Sequence, residues 1–154
     1  MAVKIKDTGF SKYKDAFAVL QSKKVVVGLF ASSGSEVLTK GVVNEFGVSN
    51  AGKNRNINIP ERSFLRSTYN KNYNKVAKRF GQIGKAISKG NFSVIPKLKL
   101  IGLEQENEVK KTITELKAPP NAPSTIKAKG SANPLIDTGE LRSSISSELR
   151  NKKY

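Results

Sequence analysis

The chain has 154 residues and carries 28 lysines and arginines against 12 aspartates and glutamates, a formal charge of +16, with an isoelectric point near 10.1. It contains no cysteine, histidine or tryptophan. This excludes disulfides, thiol nucleophiles, zinc sites built from thiolates or imidazoles, and triads with an imidazole base. The length suits a single domain, 1–154, around one core. The longest apolar run, Val25 to Phe30, is far too short to span a bilayer. Lys4, Lys6 and Asp7 leave the N-terminus without a signal peptide's apolar stretch. A soluble chain, intracellular when made, with no cofactor and no membrane partner, is expected. So large a cationic surplus points to a polyanionic partner without implying that any base sequence is read.

In chain order, Asp7 or Thr8 can cap a short helix whose Phe10, Tyr13, Phe17 and Leu20 share one face. Residues 24–30 are rich in β-branched side chains and read as a buried strand, with a turn at 32–35. From Glu36 to Phe46, Val37, Leu38, Val42, Val43 and Phe46 follow a helical period, and Gly47 stands as a C′ glycine. Residues 48–58, rich in Asn, Gly and Lys, read as a flexible loop, closed by strand-like Ile57, Asn58 and Ile59 before Pro60.

A long basic helix follows from about 64 to 87. Leu65, Tyr69, Tyr73, Val76, Phe80, Ile83 and Ile87 recur at steps of three and four and form the expected core-facing stripe. No acid lies between Glu61 and Glu104, whereas residues 62–103 hold ten basic side chains. Among them Lys71, Lys75, Lys78, Lys85 and Lys89 keep the helical rhythm and are placed roughly opposite the apolar face. Two readings stay open for this ridge: a solvated lysine face, or a surface facing the phosphates of nucleic acid. A purely solvating face usually mixes charge signs to gain i,i+4 pairs, which this one lacks. Lysines outnumber arginines 22 to 6, which suits diffuse phosphate attraction more than bidentate base reading.

Gly90 and Asn91 break the helix, and another follows from 94 or 96 to 116, carrying the cluster Glu104, Glu106 and Glu108. Periodicity then stops. Pro119, Pro120, Pro123, Gly130 and Pro134 punctuate 118–134, which reads as an extended arm. Asp137 and Glu140 have the spacing of a capping box ahead of Leu141 and Ile145, and a strand is expected to follow. Glu45, Glu61, Asp137 and Glu140 are the acids that a metal-dependent nuclease could use. Each has a structural alternative: a helix end, a helix N-terminus after Pro60, and the capping box. No phosphate-cradling loop, zinc finger or RNP-type sequence is present.

Four stretches, in order, resemble the neck and tail-completion proteins of tailed bacteriophages, the phage virion morphogenesis or tail-component group. They are Val42-Val43-Asn44-Glu45-Phe46-Gly47, Ile59-Pro60-Glu61-Arg62-Ser63-Phe64-Leu65-Arg66, Pro119-Pro120-Asn121-Ala122-Pro123-Ser124-Thr125-Ile126, and residues 133–145, with Leu135-Ile136-Asp137-Thr138-Gly139-Glu140-Leu141 at their centre. Ser63 stands where the family commonly has proline. The resemblance spans about 24–149. It implies an α+β subunit, a small antiparallel sheet packed against two or three helices with a long Pro-rich arm, and it implies no enzyme. It also implies assembly as a cyclic homo-oligomeric ring, hexameric or dodecameric, at the virion's head–tail junction or tail end, put together in the host cytoplasm.

The implied neighbours are head–tail connector and tail-tube proteins, with double-stranded DNA passing nonspecifically through the channel. The arm would then lie over the adjacent subunit, making Pro119, Pro120, Pro123, Ile126, Leu135 and Ile136 interface candidates. The motif residues Glu45, Phe46, Gly47, Pro60, Arg62, Phe64, Asp137, Thr138, Gly139 and Leu141 are expected to be structural. A nonspecific basic DNA-binding or packaging-accessory protein is the alternative, and a metal-dependent nuclease a third reading.

Overall fold

The computed structural model describes residues 9–54 and 56–152. Within them the chain is α+β, with helices α1 (Phe10–Ser22), α2 (Ser35–Phe46), α3 (Leu65–Ser88), α4 (Val94–Glu115), α5 (Pro123–Lys129) and α6 (Glu140–Ser143). The strands are β1 (Lys23–Gly28), β2 (Val48–Ala51), β3 (Ile57–Ile59) and β4 (Ser146–Asn151), and a single 3-10 turn occupies Ala31–Ser33. No helix among the described residues is long and apolar enough to cross a membrane. The cap expected at Asp7 or Thr8 lies outside the described residues; α1 starts from Gly9, whose φ is 102°.

Strand β1 pairs antiparallel with β4, Val25 opposite Leu149 and Lys23 opposite Asn151. The first long strand and the last are thereby joined into one sheet. Helix α4 lies against this sheet and is the spine of the molecule. Its Val109 and Ile113 pack with Val37, Phe64, Leu141 and Ile145. Its other end, through Val94, Leu98 and Ile101, packs with Ala16, Ile83 and Ile87. At the crossing there is little room for a side chain: a Cβ on Gly102 would stand 3.1 Å from Ser147 Cβ and 3.2 Å from Val25 Cγ1. The helix backbone therefore sits directly on the strands.

Helices α3 and α4 run antiparallel, as the contacts Thr68–Thr112, Lys75–Glu108 and Arg79–Glu104 require. The buried stripe of α3 differs from the periodicity reading in its first half. Thr68 and Asn72 are buried there, whereas Tyr69 and Tyr73 are 60% and 56% exposed. The cause is close approach: Thr68 Oγ1 lies 2.6 Å from Thr112 Oγ1, a spacing that only small side chains at the crossing permit. The tyrosines are displaced to one flank, where they meet edge to face with ring centroids 5.9 Å apart.

Two segments read as irregular are ordered by pairing. Residues 48–58 are not simply a loop: β2 and β3 form an antiparallel hairpin with an irregular register between Val48 and Ala51. Asn50 takes the left-handed φ of 61°, a conformation asparagine tolerates. In the arm, 123–129 form the helix α5, with Pro123 at its first turn and Gly130 in left-handed conformation at its end. The expected capping box is absent, because α6 starts from Gly139 without a side-chain cap. Glu140 N instead donates to Thr138 Oγ1 at 3.4 Å.

Gly47 ends α2 with φ 69° and ψ 164°. This is extended and positive-φ, a region that glycine alone adopts readily, and differs from the left-handed helical turn expected of a C′ glycine. A Cβ there would meet Glu61 N at 2.8 Å and Ile59 O at 3.0 Å. Gly47→Ala is therefore expected to destabilise the fold by about 3 kcal/mol through strain and backbone collision, read as a lowered urea midpoint. An unshifted midpoint would contradict this exit path from α2.

Candidate functional site

The four motif segments meet at one place, the junction of α2 with α3. Glu45, in the last turn of α2, is 3% exposed and directs its carboxylate at the first turn of α3. Its Oε1 accepts from Ser63 Oγ (2.8 Å), Arg66 N (3.0 Å) and Arg66 Nε (3.2 Å). Its Oε2 accepts from Phe64 N (2.8 Å) and Leu65 N (2.9 Å). No residue of α3's own N-cap supplies a side-chain bond, so a carboxylate from another helix satisfies the orphan N–H groups and meets the positive end of the helix dipole. Burial alone would raise the Glu45 pKa. The bonds from Leu65, Arg66, Ser63 and Phe64 outweigh it and hold the carboxyl below its ordinary range.

Arg62, only 6% exposed, ties three segments together. Its Nε donates to Pro119 O (2.9 Å), Nη2 to Pro120 O (3.0 Å) and Nη1 to Asn44 Oδ1 (3.3 Å), while its backbone N donates to Asn44 O (2.7 Å). Burial draws its pKa down from the ordinary value, but an arginine stays charged in proteins, and here carbonyl dipoles take the place of water. The fourth segment joins through asparagines. Asn121 Nδ2 donates to Asn133 O at 3.4 Å, and Asn133 Oδ1 accepts from Leu135 N (2.9 Å) and Ile136 N (3.0 Å). Asn133 Nδ2 reaches Thr114 O at 2.9 Å.

The interface candidates are accordingly redistributed. Leu135 is buried in the chain's own core and Ile136 packs against it. Pro119 and Pro120 offer their carbonyls to Arg62 of the same chain, Pro123 opens α5, and Ile126 is half-buried on it. Of the expected structural residues, Phe64 and Leu141 lie in the core. Phe46 is 60% exposed and lies 4.8 Å beneath the Arg66 guanidinium. Asn44, Ser63, Arg66, Asn121 and Asn133 are partners that residue spacing did not single out. Asn121 and Asn133 had a local signal in the Pro-Pro-Asn and Asn-Pro pairings; the other three had none beyond their place in the motifs.

A groove of about 490 Å³ lies beside this junction, lined by Asn44, Arg62, Asn121, Thr125, Asp137 and Thr138 among others. Of the acids considered for a nuclease, Asp137 and Glu140 line it, and Glu45 and Glu61 do not. Glu45 is taken up by α3, Glu61 pairs with Arg66 at 2.7 Å, and Glu140 meets Lys40 at 3.4 Å. Among the described residues no group of three or more acidic, histidine or cysteine side chains is placed to hold a metal ion.

The basic ridge of α3 divides in two. Lys75 pairs with Glu108 at 2.9 Å and Arg79 with Glu104 at 2.7 Å; Lys71 adds to the field that lowers the Glu108 pKa, after the stronger effect of the Lys75 hydrogen bond. Lys71, Lys78, Lys85 and Lys89 are exposed and make no ion pair with a described carboxylate. The ridge turns relative to the buried stripe: Lys71 and Lys75 lie within about a third of a turn of Thr68 and Asn72, whereas Lys85 and Lys89 lie roughly opposite Ile83 and Ile87, on the flank away from Tyr69 and Tyr73. Compared with known proteins, the chain matches no protein-family model, no curated protein and no solved structure.

Proposed function

We propose that this chain is a structural subunit of a tailed-phage virion, one copy of a ring at the head–tail junction or tail end, through which DNA passes. The carrying observation is the convergence of three of the four family-like segments on the buried pair Glu45 and Arg62, with the fourth joined to the third through Asn121 and Asn133. Segments scattered over a hundred residues have one physical reason to occur together, since each holds an end of the same hydrogen-bonded knot. The reading gives that knot a scaffold role and assigns it no chemistry.

A closed ring repeats one heterologous interface. With Leu135 and Ile136 taken up by the core, the side chains best suited to that interface are Phe46, Tyr69 and Tyr73, exposed aromatics beside Arg66 on α2 and α3. Aromatics and arginine are enriched at interface centres. Gold-tagging this chain and imaging purified particles tests the reading: density at the neck or tail end is expected, and tag anywhere else on the particle, or on none, overturns it. The second reading, a nonspecific DNA-binding protein acting as a monomer, is favoured by the unpaired lysines of α3. Sedimentation separates them, because a ring subunit shifts to a discrete oligomer at high concentration and the monomeric binder does not.

A further inference from the structure

We infer that the C-terminal half of α3 is a contact surface for the backbone of duplex DNA, made by Lys78, Lys85 and Lys89, and that Lys75, neutralised by Glu108, takes no part in it. The choice of duplex DNA among polyanions rests on the proposed ring reading; the division of the ridge does not.

The division follows from where the chain's acids are spent. All nine glutamates, residues 36, 45, 61, 104, 106, 108, 115, 140 and 148, make ion pairs within the chain. Two of them, Glu104 and Glu108, neutralise Arg79 and Lys75 on α3. Lys78, Lys85 and Lys89 gain nothing from this set. A second copy of the chain carries the same surplus of 16 positive charges and only three aspartates outside these pairs, so charge opposes a homotypic contact through the three lysines. The partner of this surface brings its own negative charge.

Its form is also indicated. The three lysines share one flank of a single straight element and span eleven residues, about 16 Å along the helix axis. That is close to the axial rise of about five base pairs of a duplex. Ammonium groups act as point charges and have no planar fork for base edges, and the flank has no aromatic side chain on which an unpaired base would stack, since Tyr69 and Tyr73 lie on the other side. The surface therefore suits a regular, paired phosphate backbone, read without sequence.

The test is binding of a fluorescent duplex of mixed sequence to the purified full chain over a salt series, with the triple variant Lys78→Gln, Lys85→Gln, Lys89→Gln. Losing three phosphate contacts makes the slope of log affinity against log salt shallower by about 2.7. A charge-matched control, Lys24→Gln, Lys117→Gln, Lys127→Gln, removes three exposed lysines elsewhere and is expected to change that slope by less than about one. Circular dichroism establishes that both variants stay folded. Equal slopes for the two variants overturn the inference, as does tighter binding to single strands or to vesicles with anionic headgroups than to duplex. Particle tagging reports on the ring independently, so a neck position with equal slopes rejects this surface alone.

Discussion

Replacing Glu45 by alanine is expected to destabilise the fold by about 3–4 kcal/mol, measured as the free energy of urea unfolding. The substitution removes the acceptor of three backbone N–H groups and the Ser63 hydroxyl at once. Each donor left without a partner costs about 1–3 kcal/mol when fully buried, and those at the half-buried helix start recover part of this from water. Glu45→Gln keeps one acceptor oxygen but presents an amide NH2 to donors, so about 2 kcal/mol of loss is expected. The carboxyl is held below its ordinary range in the folded state, so its stabilisation is complete above the unfolded value of about 4.3 and is lost as pH falls through the folded pKa. Wild type should therefore lose more stability than Glu45→Gln between pH about 5 and about 2. Glu106 and Glu108 are lowered as well, leaving the variant some acid sensitivity. Equal pH profiles would sink the assignment of Glu45 as the charged cap of α3.

Arg62→Ala should cost about 3 kcal/mol, and its effect should be directional. Without the guanidinium, the Pro119 and Pro120 carbonyls and Asn44 Oδ1 lose their shared donor, and residues 118–134 lose a principal tie to the body. Hydrogen exchange is therefore expected to rise first at Ile126 and Gly130, whose amides close the turns of α5, before it rises in α3 or α4. Lysine should not restore protection, because a single ammonium cannot reproduce a planar fork that serves three acceptors in fixed directions. Unchanged exchange in α5 on Arg62→Ala would show that the segment is held by its own contacts. This outcome also bears on assembly, since a segment held in cis by Arg62 is not free to lie as a strap across a neighbour.

Helices were legible where periodicity and punctuation agreed. Residues 36–46 and 64–87 were each placed within a residue or two of α2 and α3, and 94–116 matched α4, because apolar steps of three and four ended at Gly47 and at Gly90-Asn91. Prolines misled in 118–134. Four of them and a glycine concealed that Pro123 stands at a first helical turn, where its missing N–H costs nothing. Tyr69 and Tyr73 misled for another reason: their spacing is as regular as that of Thr68 and Asn72, and hydrophobicity favoured the larger pair. Contact with Thr112 decided for the smaller one.

The candidate site was legible only as membership. Glu45 and Arg62 could be named from their motifs, but a capping carboxylate nineteen residues from its amide partner has no local sequence signal. The same holds for an arginine whose acceptors lie fifty-seven and fifty-eight residues away.

What the amino-acid sequence determined by itself is everything governed by local spacing or composition: the helices α1 to α4, the two long strands, the cationic surplus, and the chemistries closed to a chain without cysteine or histidine. What only the tertiary structure decided is which distant groups meet. The pairing of β1 with β4, the face of α3 that is buried, the capture of Glu45 by α3 and of Pro119 and Pro120 by Arg62, and the split of the lysine ridge all depend on contacts across the chain. Local free energies there differ little between alternatives, and the packing of α4 against everything else selects among them.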